Sequence, residues 1–353
     1  MTSPSPIEQF SSEVSALQSN ISSLQGGTRL SNLRDAVEDL QTTVNSLAQR
    51  LAKLRVQGYA FEKDLEGQAT GFAQQWAALY PAVMAQIEMQ SATLQATLRS
   101  IESQATQLAG QQPNGATQAL LASLKASAST LEGNVTAAEN QIRGMYDSLE
   151  NQVSSVTNHL GRVEWMLAQL AEAKFTLLPT EAGIAAVKAV WCKEVKQRDD
   201  DPEGVLYLTD QRLIFEQKQE VATKKVLFIA TEKQKVQELK WEVPVVLVTE
   251  IKPSKQGFLK NEDHLDLRFG QGAPIETAHV HIWEEGNQWL QLLNRAKTKD
   301  FDSGRAIAID QAAVAKVKAL PAQCPSCGGN LSQVVLRGQD EVKCEFCGFL
   351  IRL

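Results

Sequence analysis

The stretch Gly204-Val-Leu-Tyr-Leu-Thr-Asp-Gln-Arg-Leu-Ile-Phe215 decides the middle of this chain. Gly204 to Thr209 reads as a strand, Asp210-Gln211 as a turn, and Arg212 to Glu216 as the returning strand. A period of two continues on both sides. Val187, Ala189 and Trp191 fall on one face of a period of two before the hairpin, with Lys188 on the other. Lys225 to Ala230, Gln237 to Val248, His264 to Phe269 and His279 to Trp283 read as further strands after it. Asn287 to Lys299 then has the period of an amphipathic helix, with Trp289, Leu290, Leu292 and Leu293 on or near its apolar face. Short strands closed by one helix predict a small half-open barrel whose open end the helix plugs.

This hairpin is similar to the G-x-L-x-L-T-x-x-R-L-I-F hairpin of GRAM domains and related bacterial PH-like domains. Ile251-Lys-Pro-Ser-Lys-Gln-Gly-Phe258 resembles the strand and turn before that family's last hairpin, and His279-Val-His-Ile-Trp283 with the Trp289 helix resembles its closing strand and helix. The resemblance covers about residues 178–300 and implies a PH/GRAM-like half-open β-barrel with a C-terminal helix. It also implies two kinds of partner, since members often bind phosphoinositides or acidic membrane surfaces, and others bind only proteins. In the best-known PH members the lipid site lies on the first hairpin loop, which is basic. Here that loop is Arg198-Asp199-Asp200-Asp201-Pro202-Glu203, whose three aspartates repel a phosphate headgroup. A second basic cluster, Lys252, Lys255 and Lys260 with Lys224 and Lys225 on another loop, is the candidate anionic-ligand patch.

No nucleophile, base and oxyanion donor assemble in this stretch, so no enzymatic site is expected. His279 and His281 share a strand face and could pair on a metal, but no third ligand stands beside them in sequence, and an exposed sheet face is expected. Cys192 reads as a buried or half-buried thiol beside Trp191. Gly270-Gln271-Gly272 is a loop, with no Lys-Ser/Thr helix after it to cradle a phosphate.

Upstream, the period is that of helices. Phe10, Val14, Leu17, Ile21 and Leu24 follow a 4-3-4-3 spacing, Gly26-Gly27 interrupts it, and Leu33, Val37, Leu40, Val44, Leu47, Leu51 and Leu54 resume it. Gly58, Gly67 and Gly71 predict kinks or short connections. Leu94 to Leu108 recover the heptad, and Gln112-Pro113-Asn114-Gly115 is the strongest turn. After it a single helix is expected from about Ala116 to Ala173, with a stutter at Met145-Leu149-Val153. The reading is an elongated antiparallel helical coiled coil over 1–176, a structural region. Its small seam residues bury little apolar surface and favour self-association or packing on another domain. His159, without evident ligand partners, is expected on a solvated face.

Composition fits this division. The chain has 353 residues, a formal charge of −6, 43% hydrophobic residues and five cysteines. Such a chain can bury a core, which excludes global disorder, and it is neither strongly basic nor a disulfide scaffold. Residues 1–175 hold 11 Lys+Arg and 16 Asp+Glu, against 24 and 25 in the remainder, so the acidity belongs to the helical part. Gly67 to Ile87 is uncharged but carries four glutamines and Pro81, and is expected to be a packed helix rather than a membrane span. Met1 to Pro6 shows neither a basic nor an apolar leader region, so no secretory signal is expected.

Cys324-Pro-Ser-Cys327 and Cys344-Glu-Phe-Cys347 form a C-x2-C-x16-C-x2-C pattern, the spacing of a four-cysteine zinc site. Each pair presents two thiolates from a tight turn, and Gly328 and Gly348 allow that turn's positive φ. Ser332 to Leu336 and Val342 to Cys344 are expected as a hairpin around Arg337-Gly338-Gln339-Asp340, with Phe349 to Leu353 as a third strand. This resembles a zinc ribbon over 324–353, holding one structural Zn²⁺ and implying a reducing compartment. Arg337, Lys343 and Arg352 are balanced by Asp340, Glu341 and Glu345, which disfavours nucleic acid. Between module and ribbon, 301–323 reads as a linker with a short helix from Ala306 to Leu320.

The whole reads as a multidomain α and β chain. A non-enzymatic cytoplasmic scaffold or adaptor docking protein partners is the leading expectation. The alternatives are a peripheral membrane protein binding acidic lipids through the PH/GRAM-like module, and a nucleic-acid-associated regulator using the ribbon.

Overall fold

Ser5 starts the helical part with a capping box: its hydroxyl accepts from the Glu8 N–H at 3.3 Å, and the Glu8 carboxylate accepts from the Ser5 N–H at 2.7 Å. Five helices follow: α1 (Pro6–Thr28), α2 (Ser31–Val56), α3 (Leu65–Ala109), α4 (Gly115–Arg143) and α5 (Asp147–Ala171). The computed structural model describes residues 5–193, 197–226, 229–309 and 320–353, with the backbone alone at 221–226 and 229–233. They divide into two units, Met1–Ala48 with Gly67–Thr157, and Gln49–Glu66 with Asn158–Leu353. This division falls inside α2 and α5, so it splits the 1–176 segment of the sequence reading and leaves 178–300 whole within the second unit.

In the first unit, Gln25 meets Glu102, Arg34 meets Glu88 and Gln41 meets Trp76, so α1 and α2 run antiparallel to α3. Glu13 pairs with Lys125 at 2.7 Å and Gly27 faces Val135, so α4 runs parallel to α1. The heptad residues Phe10 to Leu24 and Leu124 to Ile142 are the buried ones, which is why these segments are helical: each stripe is covered by a neighbour.

Three helical expectations are corrected. α1 does not stop at Gly26-Gly27; it runs to Thr28. Burial outweighs glycine's poor helix propensity here, because Gly27 lets α4 approach: a Cβ on it would lie 3.3 Å from Val135 Cγ1. α3 likewise passes unbroken through Gly67, Gly71 and Pro81. The single helix over 116–173 is in fact two, separated by a tight turn at Gly144–Tyr146. That turn resolves the stutter by burying Tyr146 instead of Met145, with its ring edge-on to Trp76 at 5.8 Å. Among the described residues no helix is long and apolar enough to cross a membrane.

Gly27→Val is expected to destabilise the first unit by about 1–3 kcal/mol through overpacking. Gly26→Ala, with nothing within 4 Å of the new Cβ, is expected to be neutral or to stabilise by up to about 1 kcal/mol. Thermal melting of the two variants checks the contrast.

In the second unit, a seven-stranded antiparallel sheet has the order β4-β3-β2-β1-β7-β6-β5. The strands are β1 (Gly183–Cys192), β2 (Glu203–Thr209), β3 (Arg212–Val226), β4 (Ile229–Pro244), β5 (Val248–Gln256), β6 (Glu262–Phe269) and β7 (Thr277–Ile282). The separate strand expected at 225–230 is instead the meeting of β3 and β4, two long partners whose junction at 227–228 lies outside the described residues. Phe215 stacks on Trp241 at 5.8 Å, and Trp191 meets both. α6 (Gly286–Lys297) presents Trp289, Leu293 and Ala296 to β5 and β6.

The hairpin's Thr209 and Arg212 now have a physical role. The Thr209 hydroxyl accepts from the N–H groups of Gln211 at 3.0 Å and Arg212 at 2.7 Å, closing the turn, and donates to Glu181. The Arg212 guanidinium grips the buried Glu181 carboxylate with two bonds, of 2.9 and 2.6 Å, and also reaches Glu242 and the Thr176 carbonyl. Gly204 is obligatory for a different reason, since a Cβ there would run into the Glu216 carbonyl of β3.

The C-terminal part adds β8 (Glu341–Lys343) paired with β9 (Leu350–Arg352), and a bridge between Gln323 and Asn330. Ser332 to Leu336 forms no strand. The chain just beyond it is drawn to the sheet module instead: Arg337 N–H donates to Gln211 Oε1 at 2.7 Å, and Gln211 Nε2 donates to the Arg337 carbonyl at 3.0 Å. Asp300–Gly304 is a 3₁₀ turn with Phe301 buried against Phe61. Of the helix expected at 306–320, residues 306–309 are not helical, and 310–319 lie outside the described residues.

Candidate metal centre

Two near-identical turns build the four-cysteine set. In the first, Gly328 N–H donates to the Cys324 carbonyl at 2.9 Å and Cys324 N–H donates to the Gly329 carbonyl at 2.8 Å. In the second, Gly348 and Cys344 repeat both bonds, the latter to Phe349. Gly328 has φ 71° and Gly348 φ 75°, a region that favours glycine. β8 leads into Cys344 and β9 follows the second turn, so the β8–β9 pair fixes it.

The sulfurs of Cys324 and Cys347 are 3.7 Å apart, as are those of Cys327 and Cys344, and all four lie within 4.8 Å of one another. A tetrahedral ion with Zn–S bonds of about 2.3 Å holds its sulfurs about 3.8 Å apart, whereas a disulfide brings them to about 2.05 Å. The set therefore fits a thiophilic ion, and all four thiols are free. Burial opposes ionisation of Cys324, but the N–H groups of Cys327 and Ser326 aimed at its sulfur bring its pKa down to about 7. For Cys327 the Gly329 N–H favours the thiolate, yet the crowding thiols of Cys347, Cys324 and Cys344 outweigh it and push the pKa up to about 12. Thiolates this close repel one another unless a cation sits among them.

Cys324, Cys344 and Ile351, with Leu331, are the core of this small part. Its surface carries Phe346, which is 64% exposed and rests against Gly329, together with the exposed Phe349 and Leu350. Arg337 is taken up elsewhere: its guanidinium pairs with the buried Asp210 and bonds Thr180, so it is not free for a phosphate.

Of the five candidate lysines, Lys252, Lys255 and Lys260 have described side chains. Lys252 and Lys255 lie on strand β5, not on a loop, and three residues apart they face opposite sides. Lys252 pairs with Glu250 and Lys255 with Asp263, each at 2.6 Å. Lys260 alone sits at the β5–β6 turn, with φ 53°. Lys224 and Lys225 belong to β3 rather than to a loop, and their side chains lie outside the described residues. The adjacent Phe258 and Leu259 are 98% and 77% exposed. In the aspartate loop, Asp201 is buried and accepts from the Lys193 and Arg198 N–H groups, which leaves Asp199 and Asp200 outward.

Two histidine expectations are corrected. His159 is half-buried, with Nε2 2.5 Å from the Glu62 carboxylate, which also accepts from the Tyr59 hydroxyl at 2.6 Å. Sequence reading missed the pair because its members are 97 residues apart. The second correction is that His281 is buried rather than on an exposed face, and His264 of β6 is its cross-strand partner. Alternation on β6 could have flagged His264, since it falls on the face opposite Leu265 and Leu267.

No protein-family model matches the chain, and no curated protein matches it. Among solved structures, one similar to it is the complex of PDZ-RhoGEF DH/PH domains with GTP-γ-S-activated RhoA, with 13% identity and a TM-score of 0.24, covering 78% of this chain and 94% of that one. Another is the DH/PH domains of p115-RhoGEF, with 9% identity and a TM-score of 0.21, again covering 78% and 94%. At TM-scores this low the chains do not superpose as wholes, and no property of those proteins transfers. What the chain itself establishes is a helical unit, a seven-stranded antiparallel sheet with a packed helix, and a four-cysteine set that can bind a metal.

Proposed function

We propose that the chain is a non-enzymatic adaptor of a reducing compartment such as the cytoplasm. One structural Zn²⁺ in the set Cys324, Cys327, Cys344 and Cys347 rigidifies a knob that docks a protein partner. The 178–300 part serves as a PH/GRAM-like module, and the heptad helices as a coiled-coil region that reaches or self-associates. The observation that carries this reading is the knob itself: four sulfurs within 4.8 Å of one another can fill every position of a tetrahedral ion and leave none open for chemistry, while Phe346, Phe349 and Leu350 stand exposed on the same small part. The test is affinity capture from the native host with the chain and with Phe346→Ser/Phe349→Ser. Loss of specific partners at unchanged zinc content is expected; an unchanged partner set defeats the reading.

A second reading has its own observation. Phe258 and Leu259 protrude at the β5–β6 turn beside Lys260, as an apolar tip with one cation would at an acidic membrane. Sedimentation with phosphatidylserine-containing vesicles at low salt is expected to fall for Phe258→Ser/Leu259→Ser if this tip inserts. Absence of vesicle binding by the unaltered chain removes this second reading.

A further inference from the structure

We propose a second metal site in this chain, on the face of β6 and β7 opposite Leu265 and Leu267, where the Glu262 carboxylate, His264 Nε2 and His281 Nε2 hold a divalent ion of the zinc class. The register brings these residues together. His264 of β6 stands directly opposite His281 of β7, and Glu262, two residues before His264, falls on the same face. The rings of His264 and His281 are stacked, with centroids 4.7 Å apart.

The hydrogen bonds settle where the protons sit. His279 Nδ1 lies 2.6 Å from the Asp266 carboxylate, which can only accept, so Nδ1 carries the proton and Nε2 of the neutral ring is a lone pair. His264 Nδ1 lies 3.0 Å from that His279 Nε2 and must donate to it. His264 Nε2 is then left as a lone pair. His264 is 2% exposed, and this nitrogen is buried with no hydrogen-bond partner among the described residues. His281 Nδ1 lies 2.7 Å from Gln197 Oε1 and donates to it, so His281 Nε2 is a second lone pair. Two imidazole lone pairs and a carboxylate thus converge with no proton to share, an arrangement that a cation satisfies.

Distances agree. His264 Nε2 is 3.6 Å from Glu262 Oε2, too far for a hydrogen bond, and one potential ligand atom of each of Glu262, His264 and His281 lies within 4.8 Å of the others. Nitrogen and oxygen ligands about 2.0–2.1 Å from a tetrahedral Zn²⁺ stand about 3.3 Å apart. The Asp266–His279 pair behind His264 is the hydrogen-bonded support that ligating histidines require. The neighbouring set Cys192, His264 and His279 also lies close together, but there His264 Nδ1 and His279 Nε2 are occupied by their mutual bond. Burial also pushes the Cys192 thiol up to about 11.

Cobalt titration of the full chain tests this. A thiolate site gives intense sulfur-to-cobalt charge-transfer absorption; the proposed site gives only d–d bands. The expected result is bound Co²⁺ with d–d absorption and no charge transfer, separate from any four-sulfur signal, lost in Glu262→Gln and in His281→Gln and retained in Cys324→Ser/Cys327→Ser. His279→Leu is expected to weaken that binding about 10–100-fold. The proposal is overturned if all bound cobalt shows charge transfer, or if the second ion is lost in Cys192→Ala and kept in Glu262→Gln. The spectrum of the unaltered chain decides even where a variant fails to fold. Failure of the four-cysteine zinc site would leave this result unaffected.

Discussion

Replacing Arg212 by alanine is expected to lower the stability of the sheet unit by about 3–5 kcal/mol, because it strands a buried carboxylate. Glu181 has no solvent-exposed side-chain surface, and its carboxylate accepts two bonds from Arg212, one from the Thr209 hydroxyl and one from the Leu178 N–H. Remove the guanidinium and Glu181 must stay charged without its counterion, take up a proton, or open the turn to water. Glu242 and the Thr176 carbonyl lose the same donor. Arg212→Lys keeps the charge but not the planar fork, so it is expected to fall between alanine and the native residue. Arg212→Met/Glu181→Met removes both charges together and is expected to recover much of the loss. Urea denaturation gives the magnitudes, and hydrogen exchange read by mass spectrometry locates them on β2 and β3. A loss under about 1 kcal/mol for Arg212→Ala would show that the pair contributes little.

Stripping the metal, or substituting Cys344→Ser, is expected to abolish the fold of 324–353 while β1 to β7 persist. The apolar interior of this part amounts to Ile351 and Leu331 against two cysteines, far short of what a segment of this size needs to stay ordered unaided. With the ion absent, the two turns and the β8–β9 pair lose the cross-link that sets their spacing. A strong chelator should release one Zn²⁺ equivalent from the four-sulfur set, detected colorimetrically, and amide protection around Cys324, Cys344 and Ile351 should disappear. Cys192→Ser, outside the set, should leave both readouts unchanged. Retained protection after complete removal of the metal counts against a structural ion.

What was legible in the sequence is what is local. The hairpin at 204–215 is written in six consecutive strand residues, a turn and a return, and the cysteine set in two pairs of fixed spacing. The helical stripes are legible because each recurs over several turns. The role of Glu181 was hidden, because it is 31 residues from Arg212 and joins it only when β2 and β3 form. The placement of the lysines was less legible for a related reason: Lys252 and Lys255, near in sequence, stand three residues apart on β5, and a strand sends alternate residues to opposite faces. The histidine cluster draws on β6, β7 and the loop after β1, a juxtaposition set by strand order alone. The break at Gly144 needed Trp76 as the surface for Tyr146.

The seating of Arg337 on the Asp210–Gln211 turn has one more consequence. Arg337 lies between Cys327 and Cys344, so the chain that closes the metal set is also the chain that holds the turn. By thermodynamic reciprocity, whatever the docked turn adds to the affinity for the ion, the ion adds in equal measure to the hold on the turn. A peptide of residues 324–353 alone should therefore bind zinc more weakly than the intact chain does, and metal occupancy becomes a property of the sheet part as much as of the four cysteines.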